Sequence, residues 1–132
     1  MVEFTGERVI PGQVDPDLWN EHYARYLFAS RLSRFRRVLD VGAGAGYGTK
    51  LLSQNAKSTV ALDCAAEALA IIPTPDRVQA VAAQLPFGPN SFDLVVACEV
   101  VEHLADWAEF LREARRVLAP GGQLIISTPN TK

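Results

Sequence analysis

Two cysteines, two histidines, one methionine and a net charge of only −2 in 132 residues remove several classes at once. Cys64 and Cys98 make at most one pair and lack CxxC spacing, so no disulfide framework or thiolate metal knot holds this chain; such usage fits a reducing compartment. No apolar run approaches the roughly 20 residues of a bilayer span. The opening Met1-Val2-Glu3-Phe4 carries an acid where a signal peptide carries bases, so a cytoplasmic protein is expected. Near-balanced charge gives no reason for tight association with a polyanion, and neither nucleic acid nor membrane is expected as a partner. The one basic concentration is Arg25, Arg31, Arg34, Arg36 and Arg37, read as the solvated face of a helix. What is present is a 48% hydrophobic composition, enough for one ordinary globular domain that buries about two-thirds of its unfolded surface.

Residues 1–17 carry Gly6, Pro11, Gly12 and Pro16 without periodicity and read as an arm. From Leu18 to Arg36 apolar residues recur at three- and four-residue spacing, predicting an amphipathic helix capped by Asp15 or Asp17 and ending in the arginines. The remainder, 37–132, alternates strand and helix. Strands are expected at Arg37–Val41, Thr59–Leu62, Arg77–Val81, Phe92–Ala97 and Gln123–Ser127; helices at Tyr47–Asn55, Ala65–Ile72 and Asp106–Leu118. In the last helix Asp106 and Glu109 make a capping box, Trp107, Phe110, Leu111, Ala114, Val117 and Leu118 form one face, and Pro120-Gly121-Gly122 is the stop. Continuously apolar strands are those covered on both faces, so the expected class is α/β, a doubly wound, mainly parallel, Rossmann-like sheet.

Ligands of such sheets bind beyond the carboxyl ends of the strands. There stands Asp40-Val41-Gly42-Ala43-Gly44-Ala45-Gly46-Tyr47-Gly48. A nicotinamide fingerprint from Gly42 needs glycine at Tyr47, and from Gly44 at Thr49; a P-loop needs Gly-Lys-Ser/Thr where Gly48-Thr49-Lys50 stands. Both fail. An acid-x-Gly-x-Gly-x-Gly turn remains, with Asp63 at the end of strand two, where a carboxylate can accept both hydroxyls of a ribose. The bland alternative is a plain strand-to-helix turn without a ligand.

These segments, with Gln84-Leu85-Pro86-Phe87, Ser91-Phe92-Asp93-Leu94-Val95, Glu102-His103-Leu104, Arg116-Val117-Leu118 and Pro120-Gly121-Gly122, resemble the class I S-adenosylmethionine-dependent methyltransferases of the type 11 group over residues 37 to 130. The resemblance implies a strand order 3-2-1-4-5 and S-adenosylmethionine as cofactor. By position it implies that Gly42, Ala43, Gly44 and Gly46, with Tyr47 behind them, hold the methionine part and that Asp40 lies near its amino group. Cys64 would flank the adenine, Ala83, Gln84 and Leu85 would close over its other face, and Cys98 and Glu99 would line the methyl side. Relatives often have an acid two residues before Gln84; here it is Ala82.

Methyl transfer from a sulfonium needs alignment above all, and a base if the acceptor is a hydroxyl or amine. The candidates are His103, His22 and Glu99. Glu99, Glu102 and His103 could share a helical face as a metal half-site, as in the similar small-RNA 2′-O-methyltransferases, or brace the turn after strand four; with two histidines in the chain, no metal is assigned. Residues 4–12 and 21–26 resemble the arm of bacterial methyltransferases associated with surface-polysaccharide synthesis, implying a small-molecule or glycan acceptor. The family's sheet usually has seven strands and this chain stops just past the fifth, so two strands are expected to be missing. Strand five is then an edge that a second copy could cover. Cys64 and Cys98, ending strands on either side of strand one, are expected as free thiols. The alternative function is a non-catalytic S-adenosylmethionine- or nucleoside-binding module, or a partner subunit, with an incomplete acceptor site.

Overall fold

The computed structural model describes residues 16–43, 46–70, 76–98 and 107–127, with the side chains of the first helix described from Tyr23 onward. Strands β1 (Arg37–Val41), β2 (Ser58–Asp63), β3 (Arg77–Gln79), β4 (Phe92–Cys98) and β5 (Leu118–Ser127) form one sheet of order β3-β2-β1-β4-β5. All four pairings are parallel, as the sequence implied. Helices α1 (Pro16–Leu32), α2 (Tyr47–Ser53), α3 (Ala66–Leu69) and α4 (Trp107–Val117) connect and cover them. No helix among the described residues is long and apolar enough to cross a membrane.

Side chains alternate across a strand, and here both sets are apolar because both faces are covered. On one face Val38, Leu94, Val96 and Cys98 meet Tyr26 and Ala29 of α1 and Leu52 of α2. On the other Leu39, Val41, Val95 and Ala97 meet Phe110, Ala114 and Val117 of α4. Each fully buried leucine or valine contributes about 1.5–3 kcal/mol. The start of β1 is fixed to β4 by Asp93, which accepts from the Arg37 backbone N–H at 2.9 Å and from Nε and Nη2 at 3.0 Å. These bonds hold the Asp93 carboxyl down at about 2.

The elements depart from the sequence expectations in specific places. Helix α1 starts at Pro16, whose fixed φ suits a first helical position, and stops at Leu32, so Arg34 and Arg36 lie in the connection to β1 and Arg37 is the first residue of β1 instead of all five arginines sharing a helix face. Strand β3 ends at Gln79, where the Ala80 N–H still reaches Asp63 O at 3.2 Å but Val81 turns out to solvent. Trp107 was expected on the buried face of α4 and is 54% exposed. It is the first residue of the helix, and the buried face is carried by Phe110, Ala114 and Val117 further along. Helix α4 ends at Val117, one residue before the expected end, but Pro120-Gly121-Gly122 lies inside β5, where the pairing jumps from Phe92–Leu118 to Leu94–Gln123. The three residues are therefore an irregularity inside β5, where an edge strand tolerates proline. Asp15 and Asp106, the expected caps, lie outside the described residues.

Gly48 sets the approach of α2 to α1. A Cβ built there would stand 2.3 Å from both Cε1 and Cζ of the Tyr26 ring, which is itself buried. Gly48→Ala gains about 1 kcal/mol of helix propensity but overpacks a closed interface at about 1–3 kcal/mol. The expected outcome is a net loss in urea unfolding with an unchanged m value; an equal or higher midpoint would show that the ring can move aside.

Candidate functional site

Parallel strands end on one edge, which gathers the residues after β1, β2 and β4. Beyond Val41 the N–H groups of Gly42 and Ala43 both donate to Leu62 O, at 2.8 and 3.1 Å, fastening the turn beside the end of β2. Gly42 has φ 73° and Gly46 φ 87°, left-handed values that residues with a Cβ rarely adopt. Gly46 precedes α2 and gives it no side-chain cap. Among the described residues of the turn, Gly42, Ala43 and Gly46, the only side chain is the buried methyl group of Ala43.

Asp63 ends β2, immediately after the carbonyl that holds this turn. It is 8% exposed, and its Oδ1 accepts the Ala65 N–H at 2.9 Å, which fixes the carboxylate on the lip. Cys64 beside it is an exposed free thiol whose carbonyl accepts from Gln79 Nε2 at 3.3 Å, so the end of β3 belongs to the same corner. Ala83 is half-buried and Gln84 exposed. Leu85 turns away from the edge: its side chain is buried in the core with Phe92 and Phe110, its N–H donates to Glu113 Oε1 at 2.9 Å, and its carbonyl accepts from Arg116 Nη2 at 2.9 Å. Arg116 also donates to Phe87 O at 2.7 Å. Its pairing with Glu113 holds that carboxyl below the ordinary range, so α4 grips the 85–87 segment with a charged pair and positions Ala83 and Gln84 before it. Cys98, also a free thiol, ends β4 buried on the α1 and α2 side.

Gly44, Glu99 and His103 lie outside the described residues, as does the His22 side chain, although His22 falls within α1. The described residues contain no group of three or more His, Cys, Asp or Glu that could hold a metal ion.

Asp40 lies beneath the turn with no exposure to solvent. Oδ1 accepts from the Tyr26 hydroxyl at 3.0 Å and Oδ2 from the Thr49 hydroxyl at 2.7 Å. Burial pushes its pKa up to about 7; the bonds from Thr49 and Tyr26 oppose the shift and the nearby charge of Asp63 adds to it. Tyr26 is further fixed edge-on by Tyr47, with ring centroids 5.6 Å apart. Sequence reasoning missed Tyr26 and Thr49 as positioning residues. The signal was Asp40 itself: an acid in the middle of an apolar strand requires donors from whatever covers it.

A carboxyl whose pKa rises on folding favours the folded state only while protonated. Its penalty starts above the unfolded value near 4, grows to about pH 7, and is constant above that. Asp40→Asn keeps the shape, accepting from one hydroxyl and donating to the other. The stability of the wild-type chain is therefore expected to fall between about pH 4 and 7 relative to this variant; parallel urea-unfolding profiles over that window would assign the titration elsewhere.

The chain is 39% identical over 131 residues to a relative from Mycolicibacterium smegmatis named a probable S-adenosylmethionine-dependent methyltransferase, covering 96% of this chain and 51% of that protein. It is 36% identical over 103 residues to the ubiquinone biosynthesis O-methyltransferase of Caulobacter sp. strain K31, covering 71% of this chain and 41% of that protein. The crystal structure of an S-adenosylmethionine-dependent methyltransferase from Mesorhizobium loti is similar with a TM-score of 0.70 at 25% identity, covering 79% of this chain and 53% of that one. The chain thus spans about half the length of the curated relatives it matches. A family model for a methyltransferase domain matches residues 39–126, from within β1 almost to the end of β5 and across the whole edge described above. On this match the chain belongs to the methyltransferase-domain family of the type 11 group, class I enzymes whose cofactor is S-adenosylmethionine.

Proposed function

We propose that this chain holds the cofactor of an S-adenosylmethionine-dependent methyltransferase that acts on a hydroxyl of a small molecule or glycan. The observation that carries the reading is the corner around Leu62 O: it receives two N–H groups of the bare glycine turn, and the next residue is the fixed carboxylate of Asp63. When bound, the cofactor supplies a methyl group already activated on a sulfonium. In this reading Gly42, Ala43, Gly44 and Gly46, with Tyr47 behind them, receive its amino-acid part. Asp63 accepts from the ribose hydroxyls, and Cys64 with Ala83 and Gln84 borders the adenine, Leu85 anchoring that segment from behind through its bonds to α4. Asp40 acts from below, holding α1 and α2 against the turn through Tyr26 and Thr49. Cys98 and Glu99 belong to the methyl side. The acceptor proton goes to His103, with His22 and Glu99 the further candidates. A hydroxyl acceptor is favoured by the O-methyltransferase name of the Caulobacter relative and by the resemblance of residues 4–12 and 21–26 to arms found with polysaccharide synthesis.

Two measurements test this reading. Asp63→Asn keeps an oxygen for the Ala65 N–H but loses charge-assisted acceptance from the sugar, worth about 1.5–3 kcal/mol per bond. Calorimetric titration is expected to show S-adenosylmethionine and its demethylated product binding roughly 10- to 100-fold more weakly, and unaltered affinity would sink the assignment. In a methyl-release assay on the accepted hydroxyl compound, His103→Ala is expected to lower kcat by about 10²–10⁴ with cofactor affinity unchanged. A smaller drop moves the base role to His22 or Glu99.

A further inference from the structure

The opposite edge of the sheet, where the strands begin, has a surface of its own. Between residues 23 and 39, and between 46 and 62, the sequence holds seven lysines and arginines and no acid other than the buried Asp40 that follows the first segment. One of the seven, Arg37, is neutralised by Asp93 at the start of β4; the other six have no acid in these two segments. Arg34 pairs with Ala56 in an antiparallel bridge, and the Lys57 N–H donates to Arg36 O at 2.8 Å, so Arg34, Arg36 and Lys57 share one corner. Arg31, in the last turn of α1, approaches it from the helix.

Large apolar side chains stand among these cations. Phe35 is 77% and Phe28 56% exposed, while Tyr23 and Leu27 are each 37% exposed. On α1, Phe28 lies across the helix from the buried Tyr26, Ala29 and Ser30, and Arg31 follows it within one turn. Phe35 has φ 64°, a left-handed conformation that is a genuine outlier for so bulky a residue. Its N–H donates to Asn55 O at 3.0 Å, and the Arg34 guanidinium stands 5.1 Å from its ring centre. The chain thus maintains backbone strain in order to present an apolar ring to water, an arrangement that points to a use for the ring.

The charge decides among occupants. A second copy seated on this corner would bring like charges together. A polyanion held by charge alone would leave the exposed rings of Phe35 and Phe28 without a role. Rings outermost with cations around them fit a bilayer interface, where aromatic groups enter the acyl boundary and lysines and arginines meet anionic headgroups. We propose that this amino-terminal corner of the sheet docks the protein on an anionic lipid surface through Phe35 and Phe28, with Arg31, Arg34, Arg36 and Lys57 at the headgroup level. The candidate active site, at the other end of the strands, then faces away from the lipid. This inference is independent of the proposed acceptor.

Vesicle flotation of the whole chain tests it, with phosphatidylcholine alone or with about a third phosphatidylglycerol. The expected result is at least tenfold greater partition onto the anionic vesicles, weakened by added salt. Phe35→Asn suits the left-handed backbone, so its Tm is expected to rise while its partition falls several-fold, an outcome that a merely structural phenylalanine would not give. Phe28→Ser combined with it is expected to lower partition by about tenfold or more. Absence of partition on both compositions overturns the proposal. So does wild-type partition by the Phe35→Asn variant with full displacement by heparin, which would make the corner a polyanion site.

Discussion

A single carboxyl group without access to water, shared between the first strand and two helices, is the constraint from which the arrangement of the active edge follows. Taking an isolated carboxylate out of water is far more costly than one hydrogen bond returns. A bond to a charged group returns about 1.5–3 kcal/mol, and Asp40 receives two, one from each of two helices. Burial outweighs the two bonds, and the pKa of Asp40 stands at about 7 instead of in the ordinary carboxylate range. Each donor has a second task. Tyr26 fixes α1 at a distance from α2 that only glycine at position 48 allows, and Thr49 fixes the first turn of α2, the helix that the bare glycine segment enters.

The remaining walls of the site are made differently on the two faces of the sheet. On the α1 and α2 side a buried polar knot locks the helices down. On the α4 side the attachment is a partly exposed charged pair, Glu113 and Arg116, spread over the backbone of 85–87. Exposed pairs of this kind are individually weak, but this one satisfies backbone groups of a loop that has no strand partner, and Leu85 and Phe92 bury the apolar side chains beneath it. The loop that presents Ala83 and Gln84 therefore depends on α4, an element distant from it in sequence, for its position.

That dependence explains what was legible in the sequence. The strands announced themselves because covered strands are continuously apolar, and parallel order followed from alternation with helices. The glycine turn and Asp63 could be found because local backbone requirements and a fixed spacing are written along the chain. The details that escaped were relations between distant segments. Pro120-Gly121-Gly122 is helix-stopping chemistry anywhere, and only its pairing with β4 makes it an irregularity inside a strand. Trp107 has the right helical spacing, but spacing does not say that the buried face begins only at Phe110. Leu85 lies in the expected motif, yet its side chain is committed to the core and its backbone to α4. The arginines form a run in sequence but divide in space: Arg37 is bonded to Asp93, Arg36 reaches Gln123 of β5 and Arg34 stands over the exposed ring of Phe35.

The raised pKa of Asp40 also bears on the lip above it. The charge of Asp63 is one cause of the shift, so the two carboxyl groups interact electrically even though only one reaches solvent. A fully ionised Asp40 would set two negative charges beside one another in a poorly solvated corner, where screening is weak. Tyr26 and Thr49 hold the buried group in place and oppose the rise in its pKa, which burial drives further than they lower it. Asp63 is the one of the two that reaches solvent, and in the proposed reading it is the carboxylate offered to the ribose. The two hydroxyl bonds divide the work between the carboxyl groups: weaker ones would release both helices from the strand, and with Asp40 held by them below the turn, Asp63 is left to meet solvent at the lip.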